Sequence, residues 1–206
     1  MEKYYLFHYQ LRKTLESVLQ FLPKNAKRQV NELLIVRDVD IKLSKKRTTK
    51  HGDFIKKPNG TFQITINKTS NSFRFLITLL HELAHYDVYR KYVHYVKPHG
   101  EEWKFAFKNI LLPFLNTKIF PEPLCRLLAN HMINPKASTD RDFYLVMALR
   151  KYDEKNFKKV VFELNSGQIF QIGNGRKFKK LAKRRKNYEC EDLNSGKLYL
   201  FICVWY

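Results

Sequence analysis

The chain has 206 residues, of which 39 are Lys or Arg and 19 are Asp or Glu, so its formal net charge is +20 with His neutral. Apolar residues make up 44% and aromatic residues 15% of the chain, which is enough for a sizeable core and excludes a fully disordered protein. The charge excess predicts an anionic partner.

The pattern of apolar and polar residues predicts a cytoplasmic protein. Polar and charged side chains interrupt the N-terminal segment between His8 and Lys13, so it lacks the apolar core of a signal peptide. No uncharged apolar stretch approaches the roughly 18 residues of a spanning helix, and no membrane partner is expected. The cysteines form no CxxC pair, which favours reduced thiols at Cys125, Cys190 and Cys203.

The N-terminal part of the chain is predicted to combine a helix with strands. Apolar residues at helical spacing predict an amphipathic helix over Leu6–Leu22, which Pro23 ends. The segments Leu33–Val36 and Val39–Leu43 are typical of strands. One helix and two short strands are therefore expected before residue 45.

A hairpin is predicted next. The turn signal Pro58-Asn59-Gly60 lies between Thr48–Lys57 and Thr61–Asn67, which both have strand character. Apolar and polar residues alternate along Thr61–Asn67. We therefore expect one buried and one solvated face on that strand.

The rest of the first domain is predicted to be helical. A helix over Phe73–Val88 follows a cluster of N-cap candidates at residues 69–72. Another helix should begin after Gly100, where two glutamates suit the positive end of a helix dipole. Shorter helices are expected over Pro121–Met132 and Asp140–Tyr152. The fold class is therefore α+β, in a domain of residues 1–152.

Residues 153–206 are predicted to form a small all-β module. The segment Leu164-Asn165-Ser166-Gly167-Gln168-Ile169-Phe170 is echoed by Leu193-Asn194-Ser195-Gly196-Lys197-Leu198-Tyr199. Each Asn-Ser-Gly loop suits a hairpin turn, because Gly adopts positive φ readily. We expect two hairpins within residues 157–206, with the basic run Arg176–Lys186 between them.

The helix predicted over Phe73–Val88 contains the motif His81-Glu82-Leu83-Ala84-His85. Four residues advance a helix by about 400°, so both imidazoles project from nearly one side and can reach one zinc ion. Glu82 follows the first histidine directly and can approach a water at the metal. The motif predicts a zinc-dependent hydrolase with Glu82 as general base; the alternative is a pair of histidines unrelated to any metal.

His99 is a candidate for the third zinc ligand. Pro98 breaks the preceding helix, so the chain can fold back and present His99 at the start of the next one. Three neutral His ligands with an open position are typical of a catalytic zinc site. His94 competes for the third position. We expect one Zn²⁺ per chain.

The motif at His81–His85, followed by Pro98-His99-Gly100-Glu101-Glu102-Trp103-Lys104, resembles the active-site region of the SprT-like zinc metalloprotease family, which includes the Spartan proteases. The resemblance covers about residues 5–115. It implies a zincin-like fold, ligation by His81, His85 and His99, and Glu82 as general base. The activity that it implies is proteolysis of proteins bound or crosslinked to DNA.

The tail departs from the pattern of the family. Many relatives end in a zinc ribbon with two Cys pairs, whereas this tail contains only Cys190 and Cys203. We therefore expect a metal-free, ribbon-like module in which buried aromatic residues replace the missing coordination energy.

The tail is also the predicted nucleic-acid interface. Its basic run is flanked by aromatic rings on which unpaired bases could stack, and phosphate contacts would make binding independent of sequence. Single-stranded and junction DNA are the candidate forms. The predicted nucleic-acid-binding residues are Arg176, Lys177, Lys179, Lys180, Lys183, Arg184, Arg185 and Lys186. A solvated charged face is the alternative interpretation.

Two further features of the predicted active site concern the substrate. The family resemblance implies that the strand preceding the motif helix borders the cleft, so the segment that contains Thr61, Gln63 and Thr65 could pair with an extended substrate backbone. The candidate donors to an oxyanion are Tyr86, Tyr89 and Tyr95. Core packing is the competing role for each of them.

The sequence thus predicts a zinc metallopeptidase that acts on DNA-bound or DNA-crosslinked proteins, in the cytoplasm and in association with the nucleoid. The competing hypothesis is a non-catalytic, basic DNA-binding module with a vestigial or structural metal site. A metal-dependent hydrolase of a non-peptide bond is a third hypothesis, which the lack of a second Asp and Glu cluster disfavours. The sequence leaves the oligomeric state open.

Overall fold

The computed structural model describes residues 16–202, with gaps at 46, 48–49, 93, 95, 155–159 and 186. The chain divides into two compact units, one of Met1–Lys136 with Ala148–Glu154 and one of Ala137–Met147 with Lys155–Tyr206. Residues 16–19 are helical, and the rest of the helix predicted over Leu6–Leu22 falls largely outside the described residues.

The protein combines helices with two β-sheets, so the predicted α+β class is confirmed. In chain order the helices are α1 (Lys27–Ile35), α2 (Ser72–Lys91), α3 (Glu101–Leu111), α4 (Glu122–Ile133) and α5 (Phe143–Arg150). The strands are β1 (Asp40–Ser44), β2 (Gly52–Lys56), β3 (Phe62–Asn67), β4 (Ile169–Gln171), β5 (Lys177–Arg184), β6 (Asn187–Asp192) and β7 (Leu198–Ile202). None of the helices in the described ranges is long and apolar enough to cross a membrane.

The first sheet has the order β1-β3-β2, with β1 parallel and β2 antiparallel to β3. The predicted hairpin is confirmed: Gly60, at φ +85°, donates its backbone N–H to the Lys57 carbonyl at 2.9 Å. Such a left-handed conformation suits Gly, which has no Cβ to clash.

The predicted solvated face of β3 is wrong. Thr65 and Asn67 are only 8% and 5% exposed, although both are polar. The reason is the segment that precedes β2, because Arg47 contacts the side chain of Asn67 and the carbonyl of Thr65 and so helps to cover this face. Asn67 is satisfied there because its side chain donates to the carbonyls of Arg47 and Lys50.

The strand predicted over Leu33–Val36 is also wrong, because most of this segment forms the last turn of α1. Helix α1 buries Val30 and Leu34, which lie four residues apart on one face. The next prediction is confirmed, since Val39–Leu43 corresponds closely to β1.

Helix α2 is the central helix of the first unit, and it begins as predicted from the N-cap cluster. The side chain of Asn71 accepts from the Arg74 backbone N–H at 3.0 Å and donates to the Leu149 carbonyl at 2.7 Å. The buried positions of α2 include Phe75, Leu76, Leu79, Leu80 and Leu83. A fully buried capping residue and this apolar stripe fix the helix that carries the histidine motif.

The second unit contains an antiparallel sheet in the order β4-β5-β6-β7. The Asn194-Ser195-Gly196 turn joins β6 to β7 as predicted. The Asn165-Ser166-Gly167 turn does not join two strands, because a 3-10 turn at Val161–Glu163 precedes it instead of a strand. The basic run does not link two hairpins either: it forms strand β5, inside the sheet.

A small aromatic core supports this sheet. Val161, Phe178, Tyr188 and Cys190 are buried, and the rings of Phe170 and Phe201 pack against them. Burial raises the pKa of the Cys190 thiol to about 11, so the thiol is inert near neutral pH. Cys125 and Cys190 are free, and Cys203 lies outside the described residues.

Candidate metal centre

Three imidazole rings meet at one point in the first unit. Helix α2 presents His81 and His85 on one side, with their Nε2 atoms 3.3 Å apart. The Nε2 atom of His99 lies 3.2 Å from that of His81 and 3.0 Å from that of His85. His94, the competing candidate, is not part of this cluster.

The three nitrogen atoms fit a zinc ion. Tetrahedral zinc binds His nitrogen atoms at about 2.0–2.1 Å, which places the nitrogen atoms about 3.3 Å from one another. The observed triangle is close to that size, and the described residues supply three nitrogen donors and no fourth ligand to it. The cluster could therefore hold a metal ion with one position open.

Both helical histidines are held in the neutral form that binds metals. Burial, then the neighbouring His85 and His99, lower the pKa of His81 well below its ordinary value. Burial and His99 lower the pKa of His85 to about 4. Each ring therefore has an unprotonated nitrogen available near pH 7.

His99 reaches the cluster through an unusual backbone conformation. Its φ is +57°, a left-handed value that non-Gly residues rarely adopt. The turn is closed by Gly100, whose N–H donates to the Lys97 carbonyl at 2.8 Å. Gly100 then caps α3, because its carbonyl accepts from the N–H of Lys104 at 3.0 Å. The predicted break of the helix at Pro98 is wrong, since α2 ends at Lys91, but the turn at Lys97–Gly100 places His99 at the start of α3 as expected.

Trp103 supports the three rings from α3. Its indole is 1% exposed, and its centroid lies 4.6–5.4 Å from those of His81, His85 and His99. Its Nε1 lies 3.4 Å from the His81 carbonyl and donates to it. The sequence patterns did not predict this contact with the candidate ligands; the place of Trp103 four residues after His99, on the next helix, was the available signal.

Glu82 is buried beside the cluster. Burial, with a further contribution from Asp53, raises its pKa to about 8, although Lys50 and Arg47 act in the opposite direction. Its side chain faces the backbone of Gly52 on β2 so closely that an added Cβ there would lie 2.9 Å from the Glu82 Oε1. Glu82 therefore follows His81 on α2 and packs its side chain against the first strand of the hairpin.

A polar network holds the segment that precedes β2. Arg47 donates from Nε to the side-chain oxygen of Asn67 at 2.7 Å and forms an ion pair with Asp53. Lys50 lies 3.2 Å from the same carboxylate of Asp53. No pattern in the sequence predicts this network, because its members are spread over a loop and two strands and no spacing relates them.

The candidate oxyanion tyrosines have other contacts. Tyr86 is buried, and its hydroxyl accepts from the Asp38 backbone N–H at 3.1 Å. Tyr89 is half exposed and packs its ring against Phe54. Tyr95 lies outside the described residues. Core packing thus accounts for Tyr86 and Tyr89.

Strand β3 cannot pair with a substrate as predicted from Thr61, Gln63 and Thr65. Its residues are hydrogen-bonded to β1 along one edge and to β2 along the other, which leaves no open edge. The open edge next to Glu82 belongs to β2. The backbone N–H of Asn67 donates to the His51 carbonyl, and that of Lys57 donates to the Thr61 carbonyl. In an antiparallel pair every second residue makes such bonds, so the residues between them point their backbone N–H and C=O groups away from β3. In β2 these residues are Gly52, Phe54 and Lys56.

The predicted nucleic-acid residues fall into three environments. Arg176 forms an ion pair with Asp192 and lies over the Tyr199 ring. Lys180 is 5% exposed, because its ammonium donates to the Leu164 carbonyl at 2.5 Å and covers the Tyr188 ring. Lys186 lies outside the described residues. The exposed cations are Lys177, Lys179, Lys183, Arg184 and Arg185, of which Arg184 contacts Glu189.

Replacing Gly100 by Ala should weaken metal binding. A Cβ at this position would lie 2.8 Å from the Lys97 carbonyl oxygen, a backbone atom that cannot move without opening the turn at His99. We expect the zinc dissociation constant to rise at least about tenfold, measured by competition with a chromogenic chelator. Gly173→Ala is the matched control, because no atom lies within 4 Å of its added Cβ. Equal zinc affinity in both variants would contradict the predicted role of the turn.

A comparison with known proteins finds a family match within the first unit. Residues 19–119 match the model of the SprT-like family. The match spans α1, the first sheet, the three histidines and α3. No curated protein and no solved structure matches the chain.

Proposed function

Because residues 19–119 belong to the SprT-like family, we propose that the chain is a zinc-dependent metallopeptidase of the HExxH type. One observation carries the proposal: three imidazole Nε2 atoms lie 3.0–3.3 Å from one another, and the buried Glu82 directly follows one of these histidines on α2. An open metal position next to a potential general base is what metal-assisted hydrolysis requires.

His81, His85 and His99 would hold the zinc ion. When bound, zinc supplies a Lewis acid that activates water near pH 7 and polarises a carbonyl group. The three rings orient the ion, and Trp103 keeps them in position by packing against all of them. His99 also links the site to the start of α3.

Glu82 acts as the general base in this proposal. It takes a proton from the attacking water and passes it to the amine that leaves when the peptide bond breaks. Its raised pKa in the metal-free protein follows from burial, and a nearby divalent cation would lower that pKa and favour the carboxylate. Burial therefore keeps Glu82 suited to exchange protons near neutral pH.

The open edge of β2 is the surface on which we propose that an extended substrate binds. The backbone groups of Gly52, Phe54 and Lys56 point to this edge, and Gly52 lies next to Glu82. Main-chain pairing of this kind selects an extended conformation rather than particular side chains. Pairing on the β2 edge replaces the pairing with β3 that the family resemblance implied.

We further propose that the substrates are proteins bound or crosslinked to DNA. The formal charge of +20 and the exposed cations of β5 support phosphate contacts that do not depend on base sequence. The first domain, residues 1–152, would have the zincin-like fold. Residues 153–206 would be a metal-free counterpart of a zinc ribbon, with Lys180 and the aromatic core in place of the metal. We propose a cytoplasmic, nucleoid-associated location, where substrates of this class would be met.

Neutralising the exposed cations of β5 should weaken DNA binding and reduce its salt dependence. Each lost phosphate contact lowers the slope of log K against log salt by about 0.7–0.9, so a quadruple Ser variant should lose up to about three units. The variant changes Lys177, Lys179, Lys183 and Arg185. A control with the same charge change replaces four exposed lysines of the first unit, Lys24, Lys68, Lys118 and Lys151.

Fluorescence anisotropy with single-stranded and junction DNA of unrelated sequences measures this slope. If the slope of log K against log salt is unchanged in the β5 variant but reduced in the control, the DNA contact is assigned to the first unit. Cleavage of a free peptide should be equal in both variants, since none of the eight residues belongs to the candidate metal centre.

The test of the proposed activity is cleavage of an unfolded protein and of a DNA-bound protein by the zinc-loaded chain. Products are followed by electrophoresis and mass spectrometry. Cleavage that a chelator stops supports the metallopeptidase. If zinc binds and DNA binds but neither protein is cleaved, the alternative of a non-catalytic DNA-binding module with a vestigial metal site becomes the better account.

A further inference from the structure

Gly52 is the residue of β2 that faces Glu82, and the space there excludes any side chain. A Cβ built on Gly52 would lie 2.8 Å from the Thr78 Cγ2, 2.9 Å from the Glu82 Cγ and 2.9 Å from the Glu82 Oε1. Ordinary van der Waals contacts of a Cβ are 3.4–4 Å. All three atoms belong to residues on one face of α2, since Thr78 and Glu82 are four positions apart.

The backbone of Gly52 does not itself require glycine. The glycines at positive φ are Gly60, Gly167, Gly175 and Gly196, so Gly52 has a conformation that any residue can adopt. Inside a strand, glycine weakens the pairing and often marks a close approach of another group. The close approach of Glu82 is therefore the physical reason for glycine at this position.

Strand β2 cannot move away to make room. Gly52 is paired with Ile66 in the sheet, and the preceding carbonyl, that of His51, accepts from the Asn67 N–H at 2.9 Å. The following residue, Asp53, is held by ion pairs with Arg47 and Lys50. A side chain at position 52 would thus be accommodated by displacement of the Glu82 side chain rather than of the strand.

We propose that Gly52 is a positioning residue for Glu82. The missing Cβ lets the carboxylate lie directly against the strand whose outer edge carries open backbone groups, and the Arg47–Asp53 pair holds that strand in register. Gly52 thereby sets the distance between the general base and a substrate on the β2 edge. The catalytic part of this inference rests on the proposed function. The steric part, which is the close contact between Gly52 and Glu82, does not.

The steric claim is tested without metal or activity. Gly52→Ala is introduced into the native chain and into a Thr78→Ser, Glu82→Ala background, which lacks all three close atoms. Urea denaturation of the metal-free protein then gives the unfolding equilibrium constants. We expect Gly52→Ala to raise this constant at least about tenfold in the native chain and less than about threefold in the background.

The proposal is overturned if Gly52→Ala raises the unfolding equilibrium constant by the same factor in the native chain and in the background. If Gly52→Ala alone does not fold, the triple variant should recover the native far-ultraviolet circular dichroism spectrum, and its failure to do so would also overturn it. Gly173→Ala serves as the control for the general effect of replacing glycine, because no atom lies near its added Cβ.

The catalytic claim is tested on zinc-loaded protein. Gly52→Ala should retain one zinc per chain and a nearly unchanged KM, with kcat lowered by about 10-fold to 10²-fold, because a misplacement of about 1 Å is enough for such a loss. In a Glu82→Gln background the same change should alter the residual rate less than twofold. An unchanged kcat, or an equal loss in both backgrounds, would overturn the positioning role.

The two tests separate this inference from the proposed function. If the native chain cleaves no protein, the metallopeptidase proposal fails while the unfolding measurements still report whether Gly52 accommodates Glu82. If the native chain is active and the unfolding effects are equal, the metallopeptidase proposal stands and the role of Gly52 is rejected.

Discussion

Replacing Glu82 by Gln should reduce peptide hydrolysis by at least about 10²-fold while the zinc content stays near one per chain. Gln keeps the size of the side chain and its contacts with Gly52, but it cannot take a proton from water. Because Glu82 is not a ligand in the triangle of imidazole nitrogens, metal affinity should change little. Steady-state cleavage of a fluorogenic peptide and metal analysis by mass spectrometry measure the two quantities.

Glu122→Gln provides the matched control for this change. Glu122 is an exposed acid on α4, with 62% of its side chain accessible, and it lies outside the histidine cluster. Its replacement removes the same charge and should leave the rate within about twofold of the native value. Native activity in Glu82→Gln would exclude this residue as the general base.

Replacing His99 by Ala should remove most of the zinc affinity, by more than about 10²-fold, and with it the peptidase activity. Two ligands on one helix turn remain, but the third corner of the nitrogen triangle is lost. The fold of the first unit should persist, since its core is built from apolar residues of α2 and α3. Isothermal titration with zinc and circular dichroism measure the affinity and the fold.

His94→Ala is the control for the loss of one histidine from the same connecting segment. It lies outside the cluster, so its zinc affinity should equal that of the native chain. Tight zinc binding in His99→Ala together with weak binding in His94→Ala would reverse the assignment of the third ligand.

Local patterns in the sequence predicted the parts of the site that depend on a single helix. The spacing of His81 and His85 and the N-cap at Asn71 are properties of α2 alone, so they follow from helix geometry. His99 could be predicted because Pro98 and Gly100 mark a turn directly before the next helix, although α2 itself ends earlier, at Lys91. These features need no knowledge of how distant segments pack.

Features that depend on distant contacts could not be predicted. Leu33–Ile35 has strand propensity, but burial of Val30 and Leu34 on one helical face outweighs it. Polar residues of β3 were expected in water because alternation does not reveal that the segment with Arg47 and Lys50 packs against this face. The closeness of Gly52 to Glu82 depends on the register of β2 against β3, which the sequence does not specify.

The basic run shows that the accessibility of charged side chains also could not be predicted from the sequence. Eight cations within residues 176–186 suggested a continuous positive strip. In a strand, side chains alternate between faces, so Lys180 points with Phe178 into the buried side while Lys177 and Lys179 stay exposed. Composition therefore predicted the sign of the charge but not which side chains are accessible.

The most direct test of the zinc metallopeptidase is a titration of metal-free protein with zinc while peptide cleavage is recorded. Activity should be absent at the start, rise in proportion to added zinc and level off at one zinc per chain, and in Glu82→Gln it should stay at least about 10²-fold lower throughout. Full cleavage by the metal-free protein, or one tightly bound zinc with no cleavage of any peptide or DNA-bound protein, would contradict the proposed function.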